Sequence, residues 1–300
     1  MSENLKGSIF MMLSMAAFAI EDMLVKSAAE TVPTGLVLTL FGVGGTILFS
    51  ALTLAKGDKI FHPSILSYPI FIRAFCEIIG RLAFALAITL TTLSSSSAIL
   101  QATPLLVAIG GAIFFKEYVS PKHWFTIFIG FIGVILIIRP SIEGFDVLSL
   151  FAVIATLGFA GRDLATRAAP KELSNLQLGI YGFLVLIPAG IAMMLYNREQ
   201  LFLDFDASLK IVGATIVGVA AYYSLTLAMR TGDISFVSPF RYTRLVFALV
   251  IGMMIFGENP DFVTILGAVI IAISGGYFLM QNKNNRIMEE SDYVSDSHTN

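Results

Sequence analysis

The sequence predicts an all-α membrane protein with ten transmembrane helices in two inverted five-helix repeats. Three observations predict this fold: an apolar composition, ten apolar stretches of membrane-spanning length, and an internal repeat. The 300 residues are 56% hydrophobic and only 13% charged, whereas soluble domains carry about 25% charged residues. With a mean hydropathy of +0.83, the chain has too little polar surface for a soluble fold, so the bilayer is the expected solvent.

The composition also excludes several kinds of site. A net charge of −2 gives no sign of nucleic-acid binding, and the single cysteine, Cys76, rules out an internal disulfide. The three histidines are too scattered to suggest a zinc or haem site: His62, His123 and His298. We therefore expect no metal and no cofactor. No cleavable signal peptide is expected either, because the first apolar stretch carries charged residues and lacks a cleavage site.

Ten stretches approach the roughly 20 apolar residues that a helix needs to cross the hydrocarbon core. They are Gly7–Ser27, Gly35–Ala55, Leu66–Leu90, Ser97–Phe115, Trp124–Ile138, Leu148–Arg167, Leu178–Tyr196, Ile211–Arg230, Phe236–Phe256 and Val263–Met280. The connections are short, so no soluble domain fits between spans. The predicted organisation is a first repeat at residues 1–140, a second at 141–281, and a disordered cytoplasmic tail at 282–300.

Lysine and arginine in the loops predict the orientation, because they concentrate on the cytoplasmic side. With the N-terminus inside, the inside segments hold Lys6, Lys56, Lys59, Lys116, Lys122, Arg167, Lys171, Arg230, Lys283 and Arg286. The outside segments hold only Lys26, Arg139, Arg198 and Lys210. Both termini are therefore expected to be cytoplasmic.

The chain matches itself when it is shifted by 141 residues. Phe18, Ala19 and Asp22 fall on Phe159, Ala160 and Asp163, and Ser94, Ser97, Phe115 and Glu117 fall on Ser235, Ser238, Phe256 and Glu258. Because each half has five spans, an odd number, the second half must enter the membrane with the opposite orientation. Inverted repeats of this kind recur in secondary transporters, and a receptor, an anchor or a membrane enzyme has less need of them.

Nine charged residues lie inside the predicted spans, where each costs about 2.5–3.5 kcal/mol to insert at mid-membrane. They are Glu21, Asp22, Arg73, Glu77, Arg81, Arg162, Asp163, Arg241 and Arg244. Arg73, Glu77 and Arg81 are four residues apart and share one face of the third helix. This face is either a self-paired stripe that holds the helix in place, or it presents arginine to a cavity. Arg73, early in the span, is expected at the membrane interface.

Arg241 and Arg244 in the ninth span need acidic partners, water or a ligand, and the intramembrane acids are the available partners. Pro239 is expected to start or kink this helix and so free backbone carbonyls, which are tolerated at depth only beside protein or water. The matching fourth span is also polar, with Gln101 at its centre. A polar cavity between the halves, lined by the third, fourth, eighth and ninth helices, would explain both.

The predicted site has two groups of residues. The solute-binding candidates are Arg81, Gln101, Tyr222, Arg241, Tyr242 and Arg244. The candidates for charge pairing or ion coupling are Glu21, Asp22, Glu77, Arg162 and Asp163. For Tyr222 simple packing is the alternative, and for Arg162 and Asp163 it is structural pairing. The sequence does not choose which carboxyl carries a coupling proton.

No enzyme signature competes with this interpretation. The chain has no phosphate-binding loop of the Walker type, so transport driven by its own ATP hydrolysis is excluded. The expected energy source is a proton or ion gradient, or the gradient of the solute itself.

Several local motifs carry a family resemblance that covers Gly7 to Met280. The first half runs Ser97-Ala98-Ile99-Leu100-Gln101-Ala102-Thr103-Pro104 to Phe114-Phe115-Lys116-Glu117, and the second runs Ser238-Pro239-Phe240-Arg241-Tyr242 to Phe256-Gly257-Glu258. With Gly130-Phe131-Ile132-Gly133-Val134 and Arg139-Pro140, these motifs resemble the EamA-like branch of the drug/metabolite transporter superfamily. The resemblance implies a transporter of small organic metabolites in the inner membrane.

The stretch from Gly161 to Pro170, together with Pro-Phe-Arg-Tyr at 239–242, is similar to bacterial members proposed as riboflavin importers. The resemblance thus implies riboflavin import as the narrower hypothesis. Export of amino acids or other metabolites and a non-transporting membrane scaffold are the alternatives. The expected partners are a small-molecule solute and the lipid bilayer, with a homodimer left open and nucleic acid excluded.

Overall fold

A computed structural model describes residues 2–90, 99–138, 150–197 and 202–256, with the short stretches 262–263, 265–267, 269–270 and 273–274. These residues form helices and connecting loops, and no strand occurs among them. The helices are α1 (Glu3–Ala29), α2 (Thr34–Ala55), α3 (Tyr68–Leu90), α4 (Thr103–Phe114), α5 (Pro121–Ile138), α6 (Leu150–Arg167), α7 (Asn175–Leu184), α8 (Leu186–Asn197), α9 (Phe205–Arg230), α10 (Ile234–Val237) and α11 (Thr243–Phe256). Two 3-10 turns lie at Pro63–Leu66 and Ser238–Tyr242.

Several helices begin where the sequence supplies a capping side chain. The Ser2 hydroxyl accepts a hydrogen bond from the Leu5 amide at the start of α1, and Asp204 accepts one of 2.6 Å from the Ala207 amide at the start of α9. At the start of α7, Ser174 and Gln177 cap each other reciprocally, at 3.2 and 2.8 Å. These bonds satisfy amide groups that have no partner in the first helical turn.

Four described segments are long and apolar enough, by length and composition, to cross a membrane. They are Glu3–Ala29, Thr34–Ala55, Asn175–Tyr196 and Phe205–Arg230. The helices of the predicted third and sixth spans, α3 and α6, are of similar length but carry three charged residues each: Arg73, Glu77 and Arg81, and Arg162, Asp163 and Arg167. The bundle must therefore provide partners for these charges.

Three predicted spans are interrupted. The seventh consists of α7 and α8, which are separated at Val185; Pro188 lacks the amide that would bond the Leu184 carbonyl. The ninth consists of α10, the 3-10 turn and α11, which agrees with the interruption expected at Pro239. In the fourth span, residues 99–100 are helical, a turn follows at Gln101 and Ala102, and α4 begins at Thr103; the predicted start at Ser97 lies outside the described residues.

Some sequence predictions fall outside the described residues. These are the tail at 282–300, most of the tenth span, Arg139-Pro140, and Ser94, Ser97 and Glu258 of the repeat match.

The helix packing follows the internal repeat. The two most extensive helix pairs are α1 with α9 and α3 with α6. The 141-residue shift relates the first span to the sixth and the third to the eighth, so these two pairs are equivalents of each other. In addition, α2 packs against α7 and α8. Each half therefore packs largely against the other half, and the boundary between them runs through the middle of the bundle.

Glycines allow α3 and α6 to approach closely. A Cβ atom built on Gly158 would lie 2.8 Å from the Gly80 Cα and 3.0 Å from the Cys76 carbonyl oxygen. Small residues of this kind bring helix backbones together in membrane proteins. The crossing fixes the relative position of the charged residues that lie on either side of it.

Candidate functional site

The nine intramembrane charged residues converge on the interface between the halves. They come from α1, α3, α6 and the ninth span, and Glu21, Arg73, Glu77, Arg162, Asp163 and Arg241 are all buried. Because an isolated charge is costly in hydrocarbon, each needs a partner, and the network supplies one for most of them.

Glu77 is the centre of the network. Its Oε1 accepts a hydrogen bond of 3.2 Å from Arg81 Nε and one of 3.4 Å from Arg162 Nη1. Its Oε2 accepts one of 2.8 Å from the Tyr222 hydroxyl, which in turn accepts a bond of 2.8 Å from Arg73 Nη2. Three helices, α3, α6 and α9, are therefore joined through one carboxylate.

Arg73 is buried among helices rather than turned out to solvent, and its expected place at the membrane interface stays a prediction. The side chain is 2% exposed, and its Nε donates to Thr166 Oγ1 at 2.9 Å in addition to the bond to Tyr222. Because α6 and α9 supply these two hydroxyl partners, the guanidinium is satisfied inside the bundle and does not have to reach water.

Two aspartates, Asp163 and Asp22, flank this centre with their arginine partners. Asp163 Oδ1 accepts a bond of 2.9 Å from Arg162 Nε, and its Oδ2 lies 2.5 Å from Arg241 Nη2. The contact with Arg241 is an ion pair that lacks hydrogen-bond alignment, since Arg241 Nε and Nη2 and Asp163 Oδ2 have no hydrogen-bond partner. On α1, Asp22 Oδ2 accepts bonds from both Nε and Nη2 of Arg244.

A cavity of about 50 Å³ lies beside these pairs. It is lined by Met15, Phe18 and Asp22 of α1, Arg81 and Phe84 of α3, Leu100, Gln101, Thr103 and Pro104 of the fourth span, Phe159 and Arg162 of α6, and Arg241 and Arg244 of the ninth span. The lining contains four arginines and one aspartate, so positive side chains outnumber negative ones among the residues that line the cavity.

Phenylalanine rings support the cavity arginines. The Arg244 guanidinium lies 5.2 Å from the centre of the Phe18 ring, and that of Arg162 lies 4.9 Å from the centre of the Phe159 ring. Arg81 lies 6.0 Å from the same Phe159 ring. Such cation–π contacts orient guanidinium groups without using their hydrogen-bond donors. The lining therefore combines apolar rings with guanidinium groups.

The structure brings part of the predicted site together. Of the solute-binding candidates, Arg81, Gln101, Arg241 and Arg244 line the cavity, as do Asp22 and Arg162. Tyr222 and Glu77 lie behind them in the hydrogen-bond network, and Glu21 and Asp163 also stand outside the lining. Tyr242 lies elsewhere: its hydroxyl is 3.5 Å from the Ile127 carbonyl and its ring covers Gly130 on α5.

The helices around the cavity also differ from those predicted. The first, third, fourth, sixth and ninth spans line it, whereas the eighth does not, because Tyr222 is held behind the cavity by Glu77 and Arg73. Sequence reasoning missed the phenylalanine walls at positions 18, 84 and 159. A signal for two of them was present, since the repeat aligns Phe18 with Phe159 one turn before Asp22 and Asp163.

One end of the bundle carries a set of polar contacts between segments that we call the clasp: Asn4, Glu117, Arg167, Asp233, Ile234 and Ser235. The Glu117 carboxylate accepts bonds from the Ile234 and Ser235 amides at 3.1 and 2.9 Å, and Arg167 Nη2 lies 3.7 Å from it. Asn4 exchanges hydrogen bonds with Asp233. The clasp ties the start of α1 and the end of α4 to the beginning of the ninth span.

Comparison with known proteins gives consistent matches. Residues 5–139 and 148–280 each match the EamA-like transporter family. The chain is 28% identical over 177 residues to a riboflavin transporter of Vibrio cholerae, a match that covers 59% of each protein, so it spans less than two thirds of that relative. It is 24% identical over 217 residues to an S-adenosylmethionine uptake transporter of Rickettsia prowazekii, covering 71% of this chain and 72% of that one.

A solved crystal structure superposes with a TM-score of 0.77 at 17% sequence identity, over 91% of this chain and 96% of the other. At this identity the likeness shows a shared fold. The predictions of a repeated all-α membrane fold and of a non-enzymatic role are confirmed by the family match, which occurs twice along the chain. The chain therefore belongs to the EamA-like transporter family.

Proposed function

We propose that the protein is a secondary carrier that imports a small organic metabolite across the inner membrane by alternating access, and that the solute is riboflavin. The observation that carries the proposal is the cavity between the two halves, with four arginines and three phenylalanine rings in its lining. The arginines offer N–H donors and the rings offer flat apolar faces, and both groups sit on helices from opposite halves.

This lining suits a planar solute rich in hydrogen-bond acceptors. Arg241 lines the cavity, and its Nε is a buried donor without a hydrogen-bond partner, whereas its Nη2 is in the ion pair with Asp163; a guanidinium can bind paired acceptor atoms in a bidentate manner. The ring system of riboflavin is flat and carries carbonyl oxygens and ring nitrogens along its edge. The relatives that are named riboflavin transporters support this solute, and the relatives that are named S-adenosylmethionine uptake transporters make S-adenosylmethionine the competing candidate.

The size of the cavity supports alternating access. A cavity of about 50 Å³ has room for a few water molecules, because one water molecule needs about 10–15 Å³ of cavity volume. Sites for metabolite-sized ligands usually measure about 300–1,000 Å³. The cavity must therefore widen to take up a solute, and the equivalent helix pairs α1–α9 and α3–α6 provide two places where the halves can move against each other.

The proposed orientation predicts the side of the membrane on which the clasp lies. With both termini cytoplasmic, as the lysines and arginines in the loops indicate, the clasp would lie at the cytoplasmic end and would hold that side closed. Inward opening would then require Glu117 to release the amides of Ile234 and Ser235.

Growth of a riboflavin-auxotrophic bacterium on limiting riboflavin tests the proposal. Cells carry the wild-type gene, Arg241→Ala, Arg241→Lys or Lys210→Ala. Arg241→Ala is expected to lower riboflavin uptake by at least about tenfold, because a hydrogen bond to a charged group contributes about 1.5–3 kcal/mol. Arg241→Lys should restore part of the uptake, since it keeps the charge but loses the bidentate geometry.

Lys210→Ala is the matched control, because this lysine lies outside the cavity and pairs with the exposed Asp206. Membrane levels of each variant are measured by immunoblot. Failure of the wild type to rescue growth, with the protein present in the membrane, would reject riboflavin. Rescue by Arg241→Ala at the wild-type level would reject the assigned cavity.

A further inference from the structure

Glu21 is the carboxyl group of the network with the weakest pairing. It lies on α1 and is 2% exposed, and its Oε2 is buried without a hydrogen-bond partner. Its Oε1 lies 3.7 Å from Arg81 Nη1, which is too long for a hydrogen bond. A carboxylate buried in this way is held by one distant cation.

The other three intramembrane carboxyl groups of the described helices are paired more closely. Asp22 accepts two bonds from Arg244. Asp163 accepts a bond from Arg162 and contacts Arg241. Glu77 accepts three bonds, from Arg81, Arg162 and Tyr222. Among the contacts described, protonation of Glu21 therefore breaks the fewest.

The surroundings of Glu21 include charges from three elements. Asp22 neighbours it on α1, Glu77 and Arg81 face it from α3, and Arg244 faces it from the ninth span. On α9, the position that a Cβ of Gly218 would occupy lies 3.4 Å from the Glu21 carboxyl carbon and 2.7 Å from the Phe41 ring of α2. A proton on Glu21 removes its repulsion with two acids at the expense of one long ion contact and the interaction with Arg244.

Arg81 connects this carboxyl group to the cavity. Its guanidinium lines the cavity, donates to Glu77 at 3.2 Å and lies beside Glu21. When Glu21 is protonated, Arg81 keeps Glu77 as a partner and loses its second anion. Its excess positive charge then becomes available to an acceptor atom of a solute in the cavity. Protonation of Glu21 and solute binding at Arg81 thus favour each other, and by linkage the effect is reciprocal.

We propose that Glu21 is the coupling carboxyl and that the protein is a proton–solute symporter. Glu21 takes up one proton as a carboxylic acid on the side from which the solute enters. It releases that proton on the other side when the solute leaves and the contact with Arg81 re-forms. Antiport would require protonation and solute binding to oppose each other, which this geometry does not provide. The inference rests on the proposed carrier function.

Infrared difference spectroscopy on the full-length protein in lipid bilayers tests the proton site without any solute. The difference between spectra recorded at mildly acidic pH and at mildly alkaline pH should contain a carbonyl stretch. This band comes from a buried carboxyl group that is protonated at the acidic pH and ionised at the alkaline pH. Glu21→Gln is expected to abolish this band, whereas Asp22→Asn and Glu77→Gln should retain it. The proposal is overturned if the wild type shows no such band or if the band survives in Glu21→Gln.

Transport in proteoliposomes tests the coupling, with riboflavin as the probe. An inward proton gradient of one pH unit should drive accumulation of up to about tenfold for one proton per solute. Glu21→Gln is expected to keep riboflavin exchange between equal concentrations and to lose the response to the gradient. A response equal to that of the wild type, or stimulation of uptake by an outward proton gradient, would contradict symport.

The two arms separate the two proposals. If the wild type exchanges no riboflavin, the solute assignment fails, and the infrared band alone then decides the role of Glu21.

Discussion

At the scale of single residues, the network depends on a few side chains that serve two partners. Arg162 donates to Asp163 and to Glu77, and both carboxylates are 1% exposed. Removal of one partner of a buried ion pair leaves a charge that neither water nor protein compensates. The loss in free energy of unfolding when an arginine is removed should therefore increase with the number of buried carboxylates that the arginine contacts.

Arg162→Ala is the test of this view. It should lower the free energy of unfolding by about 3–5 kcal/mol, because Asp163 and Glu77 each lose a partner at once. Unfolding by denaturing detergent in mixed micelles provides the measurement. Lys6→Ala, which removes an exposed pair with Glu3, should leave the free energy of unfolding unchanged. Equal stability of the two variants would mean that Arg162 is not a structural partner.

Paired neutralisation separates a carrier from a scaffold at the residue scale. The double variant Asp22→Asn with Arg244→Gln keeps the charge balance and the approximate size of both side chains. The double variant should reach the membrane in normal amount. Its riboflavin uptake should be at least about tenfold lower than that of the wild type, because Arg244 and Asp22 line the cavity. Normal uptake would show that this pair is only structural.

At the scale of helices, the crossing of α3 and α6 positions the network. Gly158→Ala should destabilise the protein by about 1–3 kcal/mol, since the new methyl group would overlap the Gly80 backbone and separate the helices. Gly213→Ala on α9 is the matched control: its nearest neighbour, Leu24 Cδ1, is 3.4 Å away. This change should be neutral or stabilising by up to about 1 kcal/mol. Thermal unfolding in detergent compares the two, and similar melting temperatures would contradict a tight crossing.

The same helices show what a sequence can and cannot predict here. Hydropathy located α1, α2 and α9 because the bilayer requires long apolar segments. Position on a helix face also suggested Arg81 for the cavity. It could not tell that Glu77 binds donors from three helices, because the rotation of each helix is set by tertiary packing. Tyr242 was expected beside Arg241 at the cavity, but consecutive side chains of a helical turn point about 100–120° apart, and Tyr242 contacts α5 instead.

At the scale of the whole molecule, a carrier must change the solvent access of its cavity when the solute binds. Gln101→Cys, made in a Cys76→Ser background, places a thiol on the cavity wall. Riboflavin is expected to change the rate at which a water-soluble thiol reagent labels this position, because the solute covers it and shifts the conformation. Tyr196→Cys, at a position that is 87% exposed, should react at the same rate with and without riboflavin. No change at position 101 would contradict a solute-responsive cavity.

The internal repeat is symmetric in its helices but not in its charges. Glu21 stands where the second half has Arg162, and Thr103 stands where it has Arg244. The opposite-facing state therefore brings a different set of charges together and has a different free energy. Every free-energy difference of about 1.4 kcal/mol between the two states changes the ratio of their populations tenfold. A solute that approaches the less populated state meets fewer competent molecules, which weakens its apparent affinity. The half-saturating concentration should thus differ between the two faces of the membrane, even for one and the same solute.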